Sequence, residues 1–259
     1  GSIKEYKGVY VDLNSGYAQN YDKAQAFNEV LNRNSFYTIS QDKYETIPGK
    51  PIAYWASSSI IEAFETQKRI GDFSKVSEGI KTGDNERFLR LWFEVIAEDF
   101  SMAKANSGYK WYPHHKGGEY QKWYGNLDYV INWEFDGKEI KASSNSGLQG
   151  QPMYFKKVCG STKVSSKPTT MRLYRQNVLF DSGAPSIMAD DMTEYIMALI
   201  NSKVGEYILQ LINPTLGLQV GDIKKIPVIK VDKERIDNLA AKCVDITKED
   251  WDSFETSWD

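Results

Sequence analysis

Hydrophobic and polar positions change period several times along the 259 residues. Residues 6–13 alternate, with β-rich side chains, and predict a strand. Over 22–31, Ala24, Phe27, Val30 and Leu31 fall on one face of a 3.6-residue repeat and predict a helix. Residues 35–40 predict a second short strand, and Pro48–Gly49 marks a turn. The apolar run 51–55 has a buried character, and Ser58 is placed to cap a helix running to about Arg69.

From Phe73 the texture becomes one of short strands between Gly- and Asn-rich turns, at 75–76, 87–95, 109–111, 129–133, 171–174 and 178–180. Segment 136–150 is rich in Gly, Ser and Asn and predicts a mobile loop; 161–170 predicts another polar, basic loop. Two helices follow. In 192–201, Tyr195, Ile196, Leu199 and Ile200 share a face; in 203–211, Val204, Tyr207, Ile208 and Leu211 do, and Pro214 ends the pair. Residues 221–231 predict an extended stretch with Pro227 at an edge, and 233–243 a helix. Thr247-Lys-Glu-Asp250 resembles a capping box, so a separate last helix is expected. Strands do not alternate with helices, so the pattern predicts an α+β fold: an irregular, mostly antiparallel sheet with flanking helices.

Composition narrows the function classes. No run of 18 apolar residues marks a membrane span, and no charged-then-apolar leader opens the chain. Gly1–Ser2 in place of an initiator Met has the form of a protease scar, so a piece of a longer protein is expected. Cys159 and Cys243 show no CxxC spacing, which argues against zinc and suits a cytoplasmic setting. His114–His115 are the two histidines and lack metal-ligand partners; a structural or surface role is expected. Net charge is −3, but the distribution is uneven: residues 101–180 hold 12 basic against 5 acidic side chains, between acidic ends. A one-sided phosphate-binding face requires such a segregation.

Catalytic signatures are missing. An amino-methyltransferase needs an Asn/Asp-Pro-Pro-aromatic loop, whose polar groups bind the target amino group while the ring stacks on the flipped base. Asn213–Pro214 is followed by Thr215 and lacks both the second proline and the ring. There is no Gly-rich nucleotide loop, P-loop or GxSxG elbow. Asp84, Glu86, Asp190 and Asp191 offer a weak acidic constellation of the kind common on solvated surfaces.

Four segments carry the functional reading. In the first, Gly79 and Gly83 flank Ile80, Lys81 and Thr82, and Asn85 follows; Lys81, Thr82 and Asn85 suit phosphates or base edges. In the second, Lys116 adjoins Gly117–Gly118, and Lys122 and Asn126 interleave with Tyr120, Trp123 and Tyr124; Lys116 and Lys122 are expected to clamp phosphates. The third is the Asp181-Ser-Gly turn after a strand. The fourth joins a helix ending in Asn201–Ser202 to Leu216-Gly-Leu-Gln-Val220 and then Ile226–Pro227. Gly79-Ile-Lys-Thr-Gly-Asp-Asn85 with Phe88 resembles the opening motif of target-recognition domains in TaqI-like adenine methyltransferases. The fourth segment is similar to those domains and to type I restriction specificity subunits. Pro51-Ile-Ala-Tyr-Trp-Ala56, the Lys116-Gly-Gly and Lys122-Trp-Tyr-Gly-Asn126 runs, Phe180-Asp-Ser-Gly-Ala-Pro185 and Trp251-Asp-Ser-Phe-Glu-Thr-Ser-Trp258 resemble the C-terminal half of the PglX family, the adenine-specific methyltransferases of BREX phage-defence systems.

That resemblance implies a sequence-specific DNA recognition domain for double-stranded DNA, with no catalytic residue and no cofactor of its own. S-adenosylmethionine and the catalytic motif would belong to an absent Rossmann-like methyltransferase domain, a partner of this one. Other BREX proteins and phage DNA-mimic inhibitors are further expected partners. The implied division is an α/β connector at 1–70, a target-recognition core at 71–231 and a helical tail at 232–259. DNA contacts are expected from the residues of the first two segments, from Ser144 and Asn145 in one loop, from Ser165, Ser166 and Lys167 in the other, and from Gln219. The competing readings are the recognition domain of a fused type II restriction-modification enzyme and a protein-interaction module docking other defence components.

Overall fold

The computed structural model describes residues 6–13, 22–100, 108–165, 167–174, 176–183 and 185–254. The chain forms two compact units, 1–67 and 68–259. In the first, β1 (Lys7–Tyr10) pairs antiparallel with β2 (Tyr37–Ser40) around α1 (Lys23–Arg33). The Asp22 carboxylate accepts from Ala24 N at 2.8 Å and starts α1; Asn34, in the left-handed region, ends it. No residue of α1 is buried, although Phe27 and Leu31 form the expected apolar face. The run 51–55 is less buried than its composition suggested: Ala53 is enclosed, while Ile52 and Trp55 are exposed. Helix α2 (Ser58–Thr66) is capped by Ser57 rather than Ser58, through Oγ accepting from Ile60 N.

The second unit continues with β3 (Lys75–Ser77), β4 (Ile80–Lys81), α3 (Asn85–Phe88), β5 (Leu89–Leu91), β6 (Trp111–His115) and β7 (Tyr129–Asn132). Then come α4 (Glu134–Ala142), β8 (Gly147–Leu148), β9 (Val158–Ser161), β10 (Met171–Tyr174), β11 (Leu179–Phe180) and β12 (Ser186–Met188). Four helices close it: α5 (Thr193–Asn201), α6 (Lys203–Ile212), α7 (Val220–Lys224) and α8 (Lys233–Asp252). The strands form a sheet ordered β10-β9-β12-β3, a second ordered β11-β6-β7-β5, and the β4-β8 ribbon. All named pairs are antiparallel except β11 with β6, so the fold is α+β with mostly antiparallel sheets.

The core accounts for much of the aromatic content. Trp133, Tyr154 and Phe180 meet edge to face, with ring centroids 5.6 Å apart in each step. Such packing suits the ring quadrupoles and adds about 1 kcal/mol per pair beyond the buried area. Helix α5 buries Tyr195, Ile196, Met197 and Ile200, and the Tyr195 hydroxyl donates to Ile229 O and accepts from Val231 N. Asn201 ends α5 and acts as a surrogate strand residue. Its Oδ1 accepts from Met171 N at 2.8 Å and its Nδ2 donates to Met171 O at 3.0 Å. The Asn-Ser signal thus pins α5 to β10, while Ser202 Oγ accepts from Gly205 N to start α6.

Four expectations change. Segment 136–150 is not a loop throughout. It holds a left-handed turn at Phe135, Asp136 and Gly137, the rest of α4, and β8. A buried Ile140 anchors it, and a Cβ at Gly137 would sit 2.7 Å from the Trp133 ring; polar composition hid this one anchor. Residues 87–95 are not one strand, because Asp84 Oδ1 accepts from Arg87 N and turns 85–88 into α3 before β5. Residues 221–231 begin with α7, since Asp222 Oδ2 accepts from Gln219 N; extended pairing starts at Ile226 O, which accepts from Ile70 N. Thr247 starts no new helix: its hydroxyl donates to Cys243 O and Val244 O inside a continuous α8.

A close backbone crossing holds this unit together. Gly79 N donates to Asp181 O and Ser182 N to Ile80 O, and a Cβ on Gly79 would lie 2.0 Å from Phe180 O. Gly79→Ala must separate the two segments. We expect it to lower unfolding stability by at least about 2 kcal/mol, an overpacking cost against rigid backbone. Urea denaturation followed by tryptophan fluorescence checks this; an unchanged midpoint would show that the crossing is slack.

Candidate nucleic-acid interface

The crossing at 79–82 and 180–182 carries chemistry on both strands. Lys81, Thr82, Gly83, Asp84 and Asn85 from one side line a cleft of ≈ 340 Å³ with Lys116, Asp181 and Ser182 from the other. Four of the expected contact residues, Lys81, Thr82, Asn85 and Lys116, therefore converge. Thr82 is only 4% exposed, and its hydroxyl donates to Asn85 Oδ1. Thr82 thus orients Asn85, whose amide nitrogen is the group left to offer; among the described residues nothing accepts from it. Gly83, at φ +71, lies against the Asn145 backbone, where a Cβ would come within 2.6 Å. This contact and the β4–β8 pairing place the exposed Ser144–Asn145 turn beside the cleft.

Lys81 and Lys116 have no carboxylate within 4.0 Å among the described residues. Lys116 Nζ instead stands over the Tyr129 ring at 4.6 Å from its centroid. Other cations of the basic middle are engaged: Lys163 pairs with Glu78 at 2.7 Å, Lys157 with Glu194 at 2.6 Å and Lys141 with Asp136 at 2.5 Å. Exposed ion pairs contribute little stability, but each cancels much of the local field. The positive potential available to a phosphate therefore concentrates on the unpaired lysines.

A second cleft of ≈ 270 Å³ lies beyond the Gly117–Gly118 turn, with Ser165 and Lys167 in its wall. Lys167 Nζ stands 5.0 Å from the Tyr120 ring centroid. Val164 bridges Gly217, and Leu218 N donates to Lys163 O, so the exposed Gln219 follows directly on this edge. Ser166 lies outside the described residues. Lys122 and Asn126 have duties inside the fold. Lys122 Nζ donates to Asn201 O at 3.0 Å, and Asn126 Nδ2 donates to Glu119 O at 2.9 Å.

Two residues of the site were not singled out in the sequence. Asp181 was visible only as part of a strand-ending Asp-Ser-Gly turn. Arg172 sits in the apolar strand β10, is fully buried, and donates to Gly117 O, Gln121 O and Thr162 Oγ1. It ties the turn that carries Lys116 to the strand preceding the second cleft. A basic residue inside an otherwise apolar strand was the available signal.

His114 and His115 are both buried, which removes the surface reading. His114 Nε2 lies 3.8 Å from Asp181 Oδ2, and His115 stacks on Tyr174 with centroids 3.6 Å apart. Burial, then the nearby Arg172 and His114, hold the His115 pKa well below its usual 6.5. Asn213 does not fit the role of an amino-group-binding Asn-Pro loop. Its Nδ2 donates to Gly217 O and Asp222 Oδ2, and its Oδ1 accepts from Thr215 N and Oγ1. Among the described residues no helix is long and apolar enough to cross a membrane.

Comparison with family models finds no match. Two curated proteins are similar to the chain. The adenine-specific methyltransferase BrxX of Escherichia coli O9:H4 (strain HS) is 40% identical over 239 residues, covering 90% of this chain and 19% of that protein. The adenine-specific methyltransferase PglX of Lacticaseibacillus casei (strain Zhang) is 32% identical over 255 residues, covering 91% of this chain and 21% of that protein. The chain thus spans about a fifth of the length of these relatives.

The buried neutral His115 makes stability depend on pH in a definite direction. In the unfolded chain its imidazole protonates near 6.5, whereas in the fold it stays neutral well below that. The unfolded state then binds more protons below pH 6.5, so stability present above 6.5 is lost as pH falls. We expect the urea midpoint to drop between pH 7.5 and 5.5, and to drop less in His115→Phe. Equal drops in the two proteins would assign the acid sensitivity to other groups.

Proposed function

We propose that this chain is the DNA sequence-recognition part of a longer adenine-specific DNA methyltransferase of the BREX phage-defence type. The observation that carries the reading is the convergence of Lys81 and Lys116, 35 positions apart in sequence and without ion-pair partners among the described residues, on one cleft with Asn85 and the Asn145 turn. Lysines bind phosphates as flexible point charges, while asparagine amides discriminate base edges. The combination suits a surface that holds a duplex and inspects it. Similarity to two adenine-specific methyltransferases over nine-tenths of the chain supplies the parent activity.

In this reading the methyl donor, S-adenosylmethionine, and the catalytic loop belong to other parts of the longer protein. The present residues bind double-stranded DNA and hold its register while the methyltransferase domain receives the flipped adenine. The partners are thus DNA and that domain; other BREX proteins and DNA-mimic inhibitors would compete for or join the same assembly. A second reading, a protein-docking module, is favoured by helix α8. Ile236 and Cys243 are half-buried and Leu239 and Ile246 exposed, in a 3-4-3 spacing that aligns them along one side of the helix. A row of this kind would seat the methyltransferase domain without conflicting with DNA binding at the cleft.

The test separates charge at the cleft from charge in the fold. In fluorescence-anisotropy titrations over a range of salt, Lys81→Ala and Lys116→Ala should each weaken DNA binding about equally on all sequences. Each should reduce the slope of log K against log salt by about 1. Lys122→Ala should reduce that slope less, because Lys122 does not line the cleft and its ammonium is tethered to Asn201 O. Unchanged slopes in both cleft variants would overturn the assignment of DNA binding to this cleft.

A further inference from the structure

The cleft that holds Lys81 and Lys116 also contains two carboxylates, and a carboxylate repels phosphate: Asp84 is exposed and caps α3 by accepting from Arg87 N, whereas Asp181 is held in the cleft wall. Asp181 is fixed from three directions. Its backbone N donates to His115 O at 2.8 Å, its O accepts from Gly79 N at 3.2 Å, and its Oδ1 accepts from Gly183 N at 2.6 Å. Its side chain keeps 16% of its surface exposed, on the cleft wall. Oδ2 has His114 Nε2 behind it at 3.8 Å, beyond hydrogen-bond range, and among the described residues no donor reaches it. An ionised carboxylate offers about four acceptor sites, of which one is filled here. Both cleft lysines stay more than 4.0 Å away, so the acceptor is not neutralised by its own neighbours.

We infer that Asp181 is a base-reading residue that accepts a hydrogen bond from the exocyclic amino group of a cytosine held in this cleft. The inference rests on the DNA-recognition reading above. The choice of base follows from the acceptor-only chemistry of a carboxylate. Guanine presents N7 and O6 in the major groove, both acceptors, and thymine presents O4 and a methyl group, so both are rejected. Adenine offers an amino group but sets the N7 acceptor next to it, against the second half of the carboxylate environment. Cytosine presents its N4 amino group without an adjacent acceptor on its own ring edge. The lysines fit the same picture: by holding flanking phosphates they offset the repulsion that Asp181 alone would exert on DNA. Fixed backbone on both sides makes the carboxylate a rigid probe, which base discrimination requires.

The experiment uses the longer methyltransferase that contains this chain. Its methylated site is first mapped by long-read sequencing. Each cytosine of that site is then replaced singly by the 2-pyrimidinone deoxynucleoside, which lacks only the amino group, and affinity of the unaltered protein is measured. We expect one position to lose roughly 5- to 150-fold in affinity, the discrimination typical of a good base contact. In parallel, Asp181→Asn keeps an oxygen for Gly183 N and replaces the other with a donor. Its methylated site should lose cytosine at that same position and accept adenine, which an amide binds through N6 and N7. If no cytosine responds to the analogue, or if Asp181→Asn methylates the original site alone, the inference is overturned. Should Asp181→Asn fail to fold, the analogue series on the unaltered protein decides by itself. Lys81→Ala and Lys116→Ala keep the two levels apart. If they weaken DNA binding while Asp181 proves silent, the cleft binds DNA and Asp181 does not read it; if they too are silent, the DNA-recognition reading falls.

Discussion

Everything at the cleft depends on two stretches of backbone lying in contact without side chains between them. Residues 79–80 run against 181–182 with two main-chain hydrogen bonds, and the space a Cβ would need at Gly79 is occupied by Phe180 O. Gly150 repeats the constraint from the other side: at φ +68, its absent Cβ would lie 2.7 Å from Glu78 O. Backbone hydrogen bonds are short-range and orientation-specific, so this crossing fixes the two segments against each other. Lys81 and Asn85 on one segment and Asp181 on the other thereby line the same cleft. Had either glycine carried a side chain, the two halves of the cleft would stand apart and their chemistry would act separately.

The same region depends on a buried cation. A guanidinium removed from water costs several kcal/mol unless its donors are bonded. Arg172 is served by two main-chain carbonyls and the Thr162 hydroxyl rather than by a carboxylate. Its planar fork reaches Gly117 and Gln121 together, which the single ammonium of lysine could not reproduce. The 117–121 turn is thereby held from inside while Asn126 and Thr162 brace Glu119 O and Gly118 O. Lys116 therefore projects from a supported turn although its neighbours are glycines. The charge that helps stabilise the site is invisible at the surface.

These features explain which parts of the structure could be read from sequence. Helices α5 and α6 were legible because their apolar residues repeat every 3.6 positions. Strand β10 was legible because a short, largely apolar run ending on Tyr174 sits between polar loops. The left-handed turn of α4 was not, since Phe135 and Asp136 adopt positive φ without the usual glycine or asparagine signal, and only Gly137 hints at it. For the cleft, glycine and lysine patterns pointed to Lys81, Asn85 and Lys116, but no local pattern reports that residues 100 positions apart meet. Asp181 was therefore left as a turn residue. Lys122 and Asn126 each donate one hydrogen bond within the fold, a use that residue type alone does not reveal.

That distinction also resolves the chain's charge. A net of −3 is a poor guide to what a phosphate meets, and so is the excess of 12 basic over 5 acidic residues in 101–180. Arg172 is buried, and Lys141, Lys157 and Lys163 are matched by carboxylates, so much of the excess is neutralised where it stands. What matters at the cleft is local: Lys81 and Lys116, without an ion-pair carboxylate among the described residues, face Asp181 in the wall and the exposed Asp84. A uniformly basic groove would bind any duplex, because phosphate attraction carries no sequence information. Placing a rigidly held acceptor-only group, Asp181, among the cations makes the cleft hostile to base edges that present acceptors alone, and so converts part of a non-specific attraction into a choice. The exchange is efficient only where the carboxylate cannot swing aside to pair with a lysine. The backbone crossing at Gly79 and the Gly183 hydrogen bond impose that restriction on Asp181.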